Sequence, residues 1–229
     1  MSGRILAIGD IHGCATALDC LLQSIDLQPD DTLVTLGDYV DRGPDTRRVL
    51  DRLIGLSQTH RLVALRGNHE SMILDARFDS AVASDWLSFG GNTTLASYGS
   101  DASQEGLAAI PEAHWAFIEQ QGVDFWEAET HFFVHGDAYP DLRLSEQPRD
   151  ILYWGRFNEA QPHQSGKTMV CGHTSQKNGL PANKGYAVCI DTWACGQGWL
   201  SCLEVRSGIV WQTNQAGQQR QFHLSDLPK

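Results

Sequence analysis

Five short clusters of carboxylate, amide and imidazole residues follow apolar runs that have the pattern of β-strands. The clusters are Gly9-Asp10-Ile11-His12-Gly13, Gly37-Asp38-Tyr39-Val40-Asp41-Arg42-Gly43, Gly67-Asn68-His69-Glu70, His135-Gly136-Asp137 and Gly172-His173-Thr174. Mixed ligands of this kind suit Mn²⁺, Fe or Zn²⁺ better than Ca²⁺ or a thiolate site. Loops at the carboxyl ends of strands in an α/β sheet meet at one edge, so we expect the five clusters to converge on one site.

The number and spacing of these residues favour two metal ions. Asp10 and His12 are two residues apart and can hold one ion from a single loop, while Asp38 offers a carboxylate able to bridge two ions. Three further residues can complete the second ion: Asn68, His135 and His173. One such residue at a strand end is more often a hydrogen-bonded structural residue, but five glycine-flanked clusters are not explained in that way.

The elements that must position the clusters alternate between strand and helix patterns. Strands are predicted at residues 6–9, 32–36 and 61–65, and helices at residues 15–24, 45–56, 71–88 and 112–121. Residues 89–98 are rich in Gly and Thr and predict a loop. Strand patterns dominate the second half, at residues 131–135, 168–172, 186–191, 200–206 and 209–213. The alternation predicts an α/β layered fold, with a second sheet packed on the first.

Charge and composition limit the classes of partner. The 229 residues carry a net charge of −11, which disfavours binding to nucleic acid or to anionic membranes. Neither an export signal nor a membrane-spanning segment is evident, so we expect a cytoplasmic protein with its six cysteines reduced. The organisation predicted is one catalytic domain over residues 1–212, followed by a polar tail over residues 213–229.

Taken together, the clusters resemble the motifs of the metallophosphoesterase superfamily. The spacing is most similar to its phosphoprotein phosphatase branch, especially the small bacterial and phage serine/threonine phosphatases, and the resemblance spans about residues 5–206. It implies an αββα sandwich of two mixed β-sheets flanked by helices. It also implies two divalent metal ions as cofactors, with Mn²⁺ expected first and Fe or Zn²⁺ as alternatives.

The resemblance also assigns roles to individual residues. The first ion is bound by Asp10, His12 and Asp38, and the second by Asp38, Asn68, His135 and His173. His69 is the general acid and is held by Asp41, while Arg42, Asn68 and Arg156 bind the substrate phosphate. The implied reaction is in-line attack on phosphorus by a hydroxide that bridges the two ions, followed by protonation of the leaving oxygen by His69.

Two features bear on the choice of substrate. His135-Gly136-Asp137 stands where the family usually has His-Gly-Gly or His-Ala-Gly, so Asp137 adds a negative charge near the site. The related symmetrical dinucleoside-tetraphosphate hydrolases usually lack an equivalent of Asp41 and have Gly-Asn-His-Asp, whereas this chain has Asp41 and Glu70. These residues favour a phosphomonoesterase.

The expected substrate is a phosphoprotein, a phosphopeptide or a small phosphoester. The alternatives are a dinucleoside polyphosphate hydrolase and, less favoured, a non-catalytic phosphate-binding module. Discrimination between substrates is expected to come from the rim of the cleft, where the candidates are residues 86–99, Trp154 and Asp137.

Overall fold

The computed structural model describes residues 3–227, and these residues form two mixed β-sheets with helices on their outer faces. The strands are β1 (Ile5–Ile8), β2 (Thr32–Thr35), β3 (Arg61–Leu65), β4 (Gly122–Val123), β5 (Phe125–Glu127), β6 (His131–Val134), β7 (Thr168–Cys171), β8 (Ala182–Asn183), β9 (Ala187–Cys189), β10 (Asp191–Thr192), β11 (Trp199–Glu204), β12 (Ile209–Thr213) and β13 (Gln219–His223). The α-helices are α1 (Ala15–Ser24), α2 (Thr46–Thr59), α3 (Asn68–Ala76), α4 (Ser80–Trp86), α5 (Asn92–Ser97), α6 (Glu112–Ala116) and α7 (Arg149–Trp154). None of the helices in residues 3–227 has the length and apolar character needed to cross a membrane.

The first sheet has eight strands, and those from the amino-terminal half of the chain pair in parallel. Its order is β13-β12-β11-β1-β2-β3-β4, with β10 also paired to β11. Strands β1, β2, β3 and β4 are parallel neighbours, whereas β11 pairs antiparallel with β1. The carboxyl ends of β1, β2 and β3 therefore lie at one edge, and the first three predicted clusters follow these ends.

The second sheet has five strands in the order β5-β6-β7-β9-β8. Strands β6, β7 and β9 are parallel, while β5 and β8 pair antiparallel at the two sides. The two remaining clusters follow the carboxyl ends of β6 and β7.

Three apolar layers stabilise this arrangement because successive side chains of a strand point to opposite faces. In β1, Leu6 and Ile8 pack with residues of α1 and α2, while Ala7 packs between the sheets. In β6, Phe133 fills the space between the sheets, and Phe132 faces the layer that contains residues of α7. The predicted αββα sandwich is confirmed.

The carboxyl-terminal strands differ from the prediction. The sequence predicts that the strands of the second half form the second sheet, but β10, β11, β12 and β13 belong to the first. The polar tail predicted from residue 213 onward contains a strand instead, because β13 pairs with β12 along five residues. The exposed and half-buried residues of an edge strand have the composition of a tail, which accounts for the difference. The predicted domain and tail also include residues 1, 2, 228 and 229, which lie outside the residues that the structure describes.

Residues 89–98 also differ from the prediction. They contain the end of a π-helical turn (Leu87–Gly91) and helix α5 instead of a loop. Gly90 has φ 117°, and Thr94 and Leu95 are fully buried. Paired glycines indicate a loop, but burial of Thr94 and Leu95 stabilises a helix after the turn.

Candidate metal centre and active site

The loops after five strands bring the predicted clusters together at one edge of the sandwich. The clusters after β1, β2 and β3 come from the first sheet, and those that contain His135 and His173 come from the second. Ten side chains were predicted for the site, and all except Arg42, Arg156 and the half-buried His173 are buried. The site therefore lies where the two sheets meet, with residues of both sheets in contact.

One group of ligand atoms is formed by Asp38, His135 and His173, whose atoms lie within 4.8 Å of one another. His135 Nε2 is 3.0 Å from Asn68 Oδ1 and 3.4 Å from Asp38 Oδ1, and His173 Nδ1 is 3.1 Å from Asn68 Oδ1. His135 Nδ1 donates to the carbonyl oxygen of Leu36 at 2.8 Å. The Nε2 atom of His135 therefore turns a lone pair toward these oxygens.

The other group is formed by His12, Asp38 and His69, again within 4.8 Å. His12 Nε2 is 3.3 Å from Asp38 Oδ2, and His12 Nδ1 donates to the carbonyl oxygen of Val40 at 2.8 Å. Arg42 Nη1 lies 2.8 Å from His12 Nε2. Because a guanidinium can only donate, His12 Nε2 carries a lone pair and accepts this hydrogen bond. Asp38 thus turns one oxygen toward each group.

The donor set fits divalent cations. Carboxylate, amide and imidazole acceptors face one another across short distances, and acceptors in such an arrangement repel unless a proton or a cation lies between them. The backbone carbonyls that accept from His12 Nδ1 and His135 Nδ1 fix the ring orientation in the way typical of metal-binding histidines.

Burial keeps two of these imidazoles neutral. It lowers the pKa of His12 to about 3 and the pKa of His173 to about 4, because a charged ring is poorly solvated at these positions. A neutral imidazole is the form that binds a metal ion.

Asp10 reaches the site through the backbone of the second sheet. Its carboxylate oxygens accept from the backbone N–H of His173 at 3.0 and 3.2 Å, and its side chain is buried. A Cβ on Gly172 would lie 2.0 Å from Asp10 Oδ1, so only glycine permits this approach. Asp10 is not in either of the two groups described above, whereas His69 is.

His69, a member of one ligand group, forms a buried pair with Asp41. His69 Nδ1 is 2.6 Å from Asp41 Oδ2, and the His69 and His12 rings meet edge to face at 4.8 Å. Burial lowers the pKa of His69, but the negative charge of Asp38 and the hydrogen bond to Asp41 outweigh this effect, and the pKa is raised. Burial likewise raises the pKa of Asp41, despite its hydrogen bonds.

Left-handed backbone conformation is concentrated at the site. Seven non-glycine residues in the described part of the chain have positive φ, and five of them are predicted site residues: His12, Asp38, Asp41, Arg42 and His173. Such conformations cost about 1–3 kcal/mol each and cluster at functional sites. They support the predicted location of the site independently of residue type.

Glu70 has a positioning role that the sequence analysis did not identify. Its carboxylate accepts from the backbone N–H groups of Asp38, Tyr39 and Gly67 at 2.7, 2.7 and 2.9 Å. The loop after β2 is thereby fixed to the first turn of α3. The available signal was a glutamate in the first turn of a helix, where a side chain can accept from the preceding backbone.

The remaining predicted residues occupy the outside of the site or its surroundings. Arg156 is exposed. The backbone N–H of the next residue, Phe157, donates to Thr174 Oγ1 at 2.9 Å and so holds this loop in place. Trp154 is 48% exposed, and its ring lies 6.0 Å from that of His173. Asp137 is only 5% exposed, so the prediction that it lies on the rim is not met. It packs against Gly155, and burial raises its pKa.

Comparison with known proteins supplies independent findings. Residues 3–196 match the family described as calcineurin-like phosphoesterase. The serine/threonine-protein phosphatase 1 of Salmonella typhimurium is 42% identical over 217 residues, which cover 89% of this chain and 92% of the relative. A symmetrical bis(5'-nucleosyl)-tetraphosphatase of Acidovorax sp. is 43% identical over 75 residues, or 32% of this chain and 26% of the relative. The structure of a protein serine/threonine phosphatase from Saccharomyces cerevisiae is similar in fold, with a TM-score of 0.62 and 18% sequence identity. The match covers 100% of this chain and 82% of the yeast chain.

Proposed function

The chain belongs to the calcineurin-like phosphoesterase family, and from this premise we propose that it is a two-metal phosphomonoesterase acting on phosphoserine and phosphothreonine in proteins. Family membership establishes a phosphoester hydrolase. The similarity to a bacterial serine/threonine-protein phosphatase over nearly the whole chain supports the choice of substrate.

The hydrogen-bonded pair of His69 and Asp41 is the observation that carries the proposal. His69 belongs to one of the two groups of ligand atoms, and its Nδ1 is 2.6 Å from Asp41 Oδ2. A phosphomonoester of serine or threonine has a poor leaving group, because an alkoxide needs a proton as the bond to phosphorus breaks. An imidazole with one nitrogen fixed by a carboxylate is suited to deliver that proton from its other nitrogen.

The assignment of residues to the two cations follows the sequence motifs, and His12, Asp38, His135 and His173 also lie in the two ligand groups. We assign Asp10, His12 and Asp38 to one ion, and Asp38, Asn68, His135 and His173 to the other; Mn²⁺, Fe and Zn²⁺ all suit these ligands. The chemistry that two bound cations supply is neutralisation of the phosphoryl charge and activation of a water as the nucleophile.

Phosphate binding and protonation of the leaving group are assigned to side chains of the protein. In an acidic protein, Arg42 supplies local positive charge beside His12, and its guanidinium can donate to phosphoryl oxygens. We assign the same role to Arg156, and Asn68 contributes its amide to phosphate binding. His69 Nε2 protonates the leaving oxygen, while Asp41 keeps the ring oriented.

Hydrolysis of dinucleoside tetraphosphates is the second candidate. A tetraphosphatase relative matches 75 residues of this chain at 43% identity. The presence of Asp41 disfavours this activity, because the tetraphosphatase branch that the motifs resemble usually lacks that carboxylate. A phosphoanhydride also has a better leaving group than an alkyl ester and needs general-acid catalysis less.

A substrate panel tests the proposal. We expect kcat/KM to be higher for phosphoserine and phosphothreonine peptides than for diadenosine tetraphosphate, with all substrates measured under one Mn²⁺ condition. A shallow rim offers few contacts, each worth only about 1–3 kcal/mol, so differences among phosphopeptides should be small.

Asp38→Asn, purified in parallel, is the control for contaminating phosphatases, since it removes the carboxylate shared by both ligand groups. A dinucleotide preferred over every phosphopeptide by more than about tenfold would replace the protein-phosphatase assignment with the second candidate.

A further inference from the structure

The segment of residues 86–94 contacts Asp41 on both of its carboxylate oxygens. Trp86 Nε1 donates to Asp41 Oδ2 at 2.9 Å, beside the bond from His69 Nδ1 at 2.6 Å. Thr94 Oγ1 donates to Asp41 Oδ1 at 2.7 Å. The Trp86, Thr94 and Asp41 residues are all fully buried, so water does not compete for these bonds.

The hydroxyl of Thr94 makes several bonds at once. It accepts from the backbone N–H of Asp41 at 2.8 Å while its own proton goes to Asp41 Oδ1. Thr46 Oγ1 lies 3.0 Å from Thr94 Oγ1 and, because the Thr94 proton is already used, Thr46 is the donor. The backbone and the carboxylate of Asp41 are thus fixed by one side chain.

The same segment supports the backbone next to Asp41. Asp41 and Arg42 are consecutive non-glycine residues with φ 71° and 66°, a strained arrangement that persists only when its surroundings determine it fully. Arg42 N–H donates to the carbonyl oxygen of Gly90 at 3.2 Å. A Cβ on Gly90 would lie 2.8 Å from Arg42 Cγ, so glycine is needed for the segment to come this close.

From these contacts we propose that Trp86 and Thr94 are positioning residues that fix Asp41, and through it the ring of His69, in the orientation required for proton transfer to the leaving oxygen. This inference rests on the proposed function, in which His69 is the general acid. With only the His69 bond, the Asp41 carboxylate could rotate and take the imidazole with it. The two further buried donors restrict the Asp41 carboxylate to one orientation. This matters because a displacement of about 1 Å in a catalytic group lowers the reaction rate substantially.

Kinetics on two leaving groups test the inference. Thr94→Val removes its donor with little change in side-chain volume. Trp86→Phe removes the other donor together with part of the indole, a loss of volume for which a second tryptophan variant serves as the control. We expect kcat on a phosphoserine peptide to fall by about tenfold or more, as part of the 10²–10⁴-fold contribution of a general acid. The kcat on an aryl phosphate should change little, because its leaving group scarcely needs a proton, and KM and bound metal should stay at wild-type values. Thr94→Ser, which keeps the hydroxyl, should restore the activity.

Two matched controls separate positioning from general damage to the core. Thr213→Val removes a buried hydroxyl that donates to the carbonyl oxygen of Ala17 at 2.6 Å, outside the ligand groups and the His69–Asp41 pair. Trp115→Phe alters another buried tryptophan, over which the Arg77 guanidinium lies at 4.3 Å. Both controls should keep the wild-type ratio of kcat on the two substrates. If Thr94→Val and Trp86→Phe match these controls in that ratio, the inference is overturned.

A spectroscopic readout makes the inference independent of activity. The Nδ1 proton of His69, bound to a buried carboxylate, should give a low-field ¹H NMR signal that is assigned by its loss in His69→Asn. We expect this signal to shift or broaden in Thr94→Val and Trp86→Phe, and to be unchanged in the two controls; an unchanged signal in the former pair contradicts the proposal. If His69→Asn lowers kcat equally on both substrates, the general-acid assignment fails, and the NMR comparison alone decides whether Trp86 and Thr94 fix the pair.

Discussion

Asp38 illustrates how a single residue can link the parts of the site. Its backbone is left-handed, with φ 50°, and its N–H donates to Glu70 Oε2 at 2.7 Å. Its carboxylate turns Oδ2 toward His12 and Oδ1 toward His135. One side chain thus faces histidines that come from different sheets, and the hydrogen bond to Glu70 helps to stabilise the left-handed backbone of Asp38.

Two arginines allow a test of phosphate binding at the residue scale. Arg42→Ala and Arg156→Ala should each lower kcat/KM by about tenfold to a hundredfold, the range expected when a charge-assisted hydrogen bond is lost. Metal content, measured by elemental analysis, should stay unchanged in both variants.

Arg52→Ala is the matched control for the arginine variants, because Arg52 is exposed on α2 and pairs with Asp19 at 2.7 Å. The exposed position of Arg156 makes its variant the more informative of the two. Wild-type kinetics for Arg156→Ala would remove it from the site and make Arg143 or Arg149 the next candidate.

At the scale of elements, strand direction decides which residues meet. Parallel pairing of β1, β2 and β3 places the loops that follow them side by side, and the same holds for β6 and β7. The opposite ends of the strands need other contacts. Arg4 precedes β1 and Asp31 precedes β2, and their side chains form an ion pair at 2.5 Å.

Asp31→Asn should show the contribution of this pair as a pH-dependent loss of stability. Burial raises the pKa of Asp31, but the hydrogen bonds and charge of Arg4, with the N–H of Gln28, outweigh it and lower the pKa. A group with a lowered pKa stabilises the fold above its unfolded pKa, and this contribution is lost as the pH falls through the folded pKa. The variant should therefore lose about 1–3 kcal/mol of unfolding free energy at pH 7.

Urea unfolding between pH 7 and pH 3 measures this effect. The difference between wild type and Asp31→Asn should narrow below about pH 4, the usual pKa of an aspartate. Asp30→Asn, one residue earlier and exposed, should have little effect at any pH. A difference that is independent of pH would show that the charge of Asp31 does not contribute.

At the scale of the whole molecule, the site lies across the junction of the two sheets. In the proposed assignment, the loops after β1, β2 and β3 would supply ligands from one sheet, and His135 and His173 would supply them from the other. A cation bound by both groups of ligand atoms would therefore stabilise the assembled sandwich and not the unfolded chain, whose ligands are dispersed.

Mn²⁺ should accordingly raise the Tm of chelator-treated protein. At a free concentration of 100 times Kd, one ion contributes about 2.7 kcal/mol. Asp38→Asn should lose this increase, because its carboxylate belongs to both groups of ligand atoms, while Asp19→Asn, on α1 and in neither group, should keep it. Calorimetry and elemental analysis provide the measurements. Equal Tm values with chelator and with Mn²⁺, Fe or Zn²⁺ would contradict the two-metal proposal.

The sequence by itself determined the chemistry and most of the local structure. Strand β3 has the predicted bounds, and α2 begins directly after Asp45, whose side chain accepts from Arg48 N–H as the N-cap. Residue type, glycine spacing and position after a strand are local properties, and they were enough to predict most of the side chains that the fold brings together at this edge.

Only the tertiary structure decided which distant segments meet. The return of β11 to β1, the fixing of the loop after β2 by Glu70, and the bonds from Trp86 and Thr94 to Asp41 all join residues that no local pattern connects. A buried tryptophan or threonine has the same sequence signature whether its polar atom meets the carboxylate of Asp41 or a backbone carbonyl. The partner is chosen by the packing of the whole chain, because each buried polar group must find a hydrogen bond among the segments that the fold brings near it.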